Sequence, residues 1–190
     1  QAAGPVLVML GQEIFTGIVL GLVARLTISA LQVGGSVIAQ QMGLGFVTAV
    51  DPTQGQQGLI VGNFLSVLGI TLIFATDLHH LFVGAIVQSW DLFPFTREVP
   101  LADAGQLAIQ TMGRSFALGL QLAAPVVVFS LIFNIPTGLV GRVMPQFQVF
   151  FVATPLNVLL GLSIFALSLG VIGVVWVDRY RDLIGTFVSR

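Results

Sequence analysis

Apolar residues run along this chain almost without interruption, and the few charged residues mark where the runs stop. No formal charge falls between Arg25 and Asp51, Asp51 and Asp77, Arg114 and Arg142, or Arg142 and Asp178. Each run reaches the ~20 residues that an α-helix needs to cross the hydrocarbon core of a bilayer. Barrel strands would alternate apolar and polar positions over about ten residues. Stretches such as 126–133 and 149–153 are apolar at nearly every successive position, so the pattern predicts an all-α fold.

Four long helical segments are predicted, over residues 11–43, 58–90, 104–141 and 146–188, with residues 1–12 leading in as a loop. A bend is expected in the first near Gly34-Gly35. A polar loop covers 91–103. The short turn at 142–145 makes the last two segments an antiparallel helical hairpin. The segments exceed a single crossing, which calls for tilt, a break or extension beyond the bilayer. Pro125, Pro136 and Pro155 each remove a backbone donor inside a segment, and breaks are expected there. Gly17 with Gly21, Gly58 with Gly62, and Ala166 with Gly170 place small residues on one helical face, a pattern that lets helices approach closely.

Composition agrees with this pattern. Apolar residues make up 56% of the 190 residues and charged residues 8%, with a mean hydropathy of +1.01. A soluble domain carries roughly a quarter charged residues, so this chain needs lipid or protein neighbours on most sides. Its cations are all arginine, and the net charge is −1. A nucleic-acid footprint would need a clustered basic face, and none is present. The absence of cysteine excludes disulfides, thiol catalysis and Cys-based metal sites. Nothing near the start resembles a secretory signal, and a start at Gln1 leads us to expect residues before it. The arginine count places the C-terminal end, with Arg179, Arg181 and Arg190, on the cytoplasmic side against Arg142 at the hairpin tip.

Candidate chemistry is sparse. The histidines, His79 and His80, follow Asp77. A metal would pair Asp77 with His80 at helical i,i+3 spacing, but no second His, Cys or Glu cluster completes a ligand set, so no metal site and no cofactor are expected. No serine stands in a nucleophile elbow, and no enzyme is expected. Glu13, Arg25 and Arg114 lie in or near the apolar segments. A solute transporter would use them along its path; otherwise they pair with neighbouring helices or sit near segment ends.

The connector between the first two segments is unusual. It is rich in Gly, Gln and Thr, carries Phe46, and contains Asp51-Pro52, which disfavours helix. A loop with apolar residues is better packed inside a cavity or pore than left facing water. Its Gln41-Met42-Gly43-Leu44-Gly45-Phe46, followed by Asp51-Pro52 and Gly55-Gln56-Gln57, resembles the pattern of the FliR/SctT family of type III secretion export gates. Phe74-Ala75-Thr76-Asp77-Leu78-His79-His80 is similar to a second family landmark, although Leu78 replaces the usual Gly, which argues against a tight turn there. Arg142-Val143-Met144-Pro145-Gln146 resembles the family's hairpin tip, with Pro155-Leu156 beyond it.

This resemblance, closer to the flagellar FliR than to the injectisome SctT branch, covers nearly the whole chain and lacks the family's first two helices. It implies a FliP-like helical part over residues 1–103 and a FliQ-like helical hairpin over 104–190. It implies a channel subunit of the flagellar export gate in the inner membrane, at the basal body. Its partners would be FliP, FliQ and FlhB, and unfolded flagellar proteins its cargo. The plug of the channel would fall on Met42, Gly43, Gly45, Phe46, Asp51, Pro52, Gln54, Gln56 and Gln57, with Gly43 and Gly45 permitting movement. Arg142, Met144, Pro145 and Gln146 would form a tip at the cytoplasmic entrance, reversing the orientation that the arginine count favours.

Overall fold

A computed structural model of the chain describes residues 3–44, 58–92, 101–143 and 149–188. Those residues form five helices: α1 (Ala3–Gln41), α2 (Gly58–Ala75), α3 (Leu78–Leu92), α4 (Leu101–Val143) and α5 (Val149–Val188). Three are long and apolar enough to cross a membrane, or four if the bent pair α2 and α3 counts as one span.

Helix α1 is the centre, with α4 on one side and α2 on the other, while α5 closes against α4, α3 and α2. Inter-helix contacts fix the directions. Ala30 meets Gly119 and Gln41 meets Ser130, a constant offset of 89 residues, so α1 and α4 run parallel. Thr27 meets Trp176 and Met42 meets Gly161, so α5 runs against both. Phe64 packs edge-on to Phe165 and Leu72 lies at Gly173, so α2 runs parallel to α5.

Several sequence expectations change. Helix α1 starts at Ala3 and passes through Gly34-Gly35 without interruption. The apolar run from Val6 to Leu10 propagates helix, and Pro5 lies in the first turn, where its missing N–H has no partner to lose. Gly34 and Gly35 are contact points. A Cβ on Gly34 would fall 2.9 Å from the Gly119 carbonyl oxygen, and one on Gly35 would strike the Gly62 backbone. The close approach therefore does not use Gly17, Gly21 or Gly170, around which a Cβ would meet open space.

The second predicted segment is broken. Residues 60–75 and 78–88 meet at 78°, and the turn falls on Asp77, whose φ of 56° is left-handed. Asp tolerates this conformation because its short side chain can bond locally. A tight turn thus exists despite Leu78, supplied by the residue before it. The prolines give the opposite result. Pro125 and Pro136 lie inside α4 and Pro155 inside α5, yet neither helix ends there. One lost hydrogen bond costs less than opening an apolar helix and exposing several backbone groups.

The core holds Leu31, Ile38, Leu65, Val126 and the fully buried Trp176. Trp176 Nε1 donates to the Thr27 carbonyl at 3.1 Å, and its ring lies against Tyr180. Outside this core the surface stays apolar. Only 28%, 33% and 28% of the most apolar windows of α1, α4 and α5 are buried. The first half of α1 exposes Val6, Leu7, Met9, Leu10, Ile14 and Ile18.

Candidate functional site

The predicted plug begins where α1 ends, and that end is described in atomic detail. Leu44 N donates to Ala39 O and Gly43 N to Gln40 O, both at 3.0 Å, with Gly43 at φ 81°. This pair of bonds around a left-handed residue is the Schellman stop, which needs glycine because a Cβ is disfavoured there. The side chain of Met42 is almost fully buried and lies on Gly161 of α5.

Polar groups hold this end to two other helices. Ser130 of α4 donates its hydroxyl to Gln41 Oε1 at 2.8 Å and accepts from Asn134 Nδ2 at 3.0 Å. Asn157 of α5 donates to the Gln41 carbonyl at 3.2 Å, while its own Oδ1 is buried with no partner among the described residues. Among apolar neighbours such bonds are worth making, since a buried unpaired group costs about 1–3 kcal/mol.

Of the predicted plug residues, Met42 and Gly43 are therefore fixed in the capped helix end. Gly45, Phe46, Asp51, Pro52, Gln54, Gln56 and Gln57 lie outside the described residues. At the hairpin tip Arg142 is exposed in the last turn of α4, a favourable place for a cation beside the helix dipole; Met144, Pro145 and Gln146 fall outside the described residues.

The sequence reading missed Ser130, Asn134 and Asn157. A signal was present: Ser130 and Asn134 stand one turn apart in an otherwise apolar stretch of α4.

The charges gather at another level. The offset that pairs α1 with α4 brings Arg25 level with Arg114, and the register of α2 on α5 brings Asp77 level with Asp178. Arg114, Arg179 and Asp182 line one cavity of about 340 Å³ between α4 and α5. All of these side chains, with Arg181, are exposed. Arg114 and Arg142 stand about 42 Å apart at 1.5 Å per residue, close to the ~40–45 Å of a bilayer including its headgroups. The charges thus mark the two ends of an apolar slab.

Comparison with known proteins identifies the family. Residues 1–183 match the family described as bacterial export proteins, family 1. The flagellar biosynthetic protein FliR of Caulobacter vibrioides is 55% identical over 92% of this chain and 70% of its own length. The FliR of Pectobacterium carotovorum is 32% identical over 86% of this chain and 63% of its own length. That of Escherichia coli K12 is 31% identical over 82% and 59%, so the chain spans less than two thirds of these last two relatives. With its helical bundle, its apolar outer surface and a match along almost its whole length, the chain belongs to the family of bacterial export proteins that includes the flagellar FliR proteins.

Proposed function

We propose that the chain is a channel-forming, non-enzymatic subunit of the flagellar protein-export gate, seated in the inner membrane at the basal body. The observation that carries this reading is the Met42–Gly43 helix end, clamped to α4 and α5, from which the segment to Gln57 departs. A clamped take-off holds such a segment at one place, as a channel plug requires. The segment's Gly, Gln and Phe content suits a plug that seals against neighbours and yields to cargo. Residues 1–103 would be a FliP-like helical part and 104–190 a FliQ-like hairpin, and the apolar surface left on both supports FliP, FliQ and FlhB as neighbours. Residues Arg142 to Gln146 would face the cytoplasmic entrance, and unfolded flagellar proteins would be the cargo.

Deleting residues 46–54, which leaves the Gly43 cap intact, is expected to make the closed assembly leak ions and small molecules. Ion flux through purified complexes in liposomes measures this. Normal assembly with unchanged permeability would refute the plug.

A further inference from the structure

The break between α2 and α3 places three metal-ligating side chains together. The spacing of Asp77 and His80 suggested two; the turn adds the third. One donor atom each from Asp77, His79 and His80 lies within 4.8 Å of the others. His80 Nδ1 stands 3.9 Å from Asp77 Oδ1, and the two imidazole rings are 4.0 Å apart between centroids. Neighbouring side chains on a regular helix point about 100° apart. Here the left-handed Asp77 ends one helix and starts the next, so the carboxylate and both rings share one corner.

A further observation points to a ligand. His79 Nδ1 is buried without a hydrogen-bond partner among the described residues, although its ring is held against Phe74. An imidazole nitrogen left in this way costs free energy that a bound cation would recover.

We propose that Asp77, His79 and His80 form a binding site for a first-row divalent cation of the zinc type. Two imidazoles and one carboxylate are a donor set that suits zinc, leaving a fourth position for water or for a group from a neighbouring subunit. In a tetrahedral site with bonds of 2.0–2.1 Å the donors stand about 3.4 Å apart. The side chains of His80 and Asp77 are 74% and 80% exposed, which leaves room for rotation toward that value. The corner lies at the charged level of the bundle, where water and ions have access. A bound cation would pin the angle between α2 and α3.

The test is a titration of the purified export complex with Co²⁺, and then with Zn²⁺ in competition. Ligand-field bands characteristic of four-coordinate Co²⁺ are expected at one ion per copy of this chain, and Zn²⁺ should remove them. His80→Gln changes an exposed side chain and leaves the core intact. It is expected to weaken binding at least roughly tenfold, since even outer-shell changes around a metal cost 10–100-fold. Absence of the bands in the unsubstituted complex overturns the proposal. So does a His80→Gln complex that titrates like the original, because the ion would then sit on other residues.

Discussion

At the level of Gln41 the polar groups are uncharged and bonded to one another across three helices. At the level of Arg25, about 24 Å away along α1, they are charged, exposed and spread around the outside of the bundle. The difference follows from where water can reach. An amide or hydroxyl can enter an apolar slab if a partner waits for it, whereas an ionised group stays where solvent or headgroups cover it. The first level holds helices in register. The second marks a boundary, and on its inner side Trp176 and Thr27 are joined by a neutral bond.

The comparison can be broken most severely at that inner side. Trp176→Ala empties the most deeply buried aromatic position and is expected to destabilise the chain by about 3–5 kcal/mol, read by denaturant unfolding in detergent. Gln41→Leu attacks the uncharged level. It leaves the Ser130 hydroxyl proton without its acceptor and should cost about 1–3 kcal/mol by the same measurement. Gly43→Ala puts a Cβ on a left-handed residue and should cost about 1–2 kcal/mol, with fraying of the last turn of α1 visible as faster amide exchange at Leu44. Arg114→Gln sharpens the contrast from the other side. An exposed arginine that makes no ion pair among the described residues should change unfolding by no more than about 0.5 kcal/mol. A loss as large as that of Gln41→Leu would show that the charged level is structural as well.

Much of this was legible in the chain itself. The charge-free runs predicted four helical segments near the right places, one of which the structure breaks into α2 and α3, because formal charge is what an apolar slab excludes. The hairpin of α4 and α5 followed from the brevity of its turn. Two things could not be read. The Asp77 corner depends on one residue adopting a left-handed backbone, and the presence of Leu78 argued against it. The pairing of Gln41 with the Ser130–Asn134 step depends on the 89-residue register between α1 and α4, which tertiary packing sets; the polar step was visible in the sequence, its partner was not. Proline and glycine misled for a related reason. Their local tendency to interrupt helices yielded to a setting in which the uninterrupted helix is the cheaper state.

The backbone contacts at Gly34 and Gly35 bear on how such a bundle could move. Where side chains interdigitate, a helix can shift a little by changing rotamers. Here main chain meets main chain on both flanks of α1, with no compliant layer between. A one-residue slide would bring a Cβ against a neighbour's backbone, so sliding of α1 past α2 and α4 is resisted at these points. Displacement has to be taken up where the packing breaks, at the Asp77 corner.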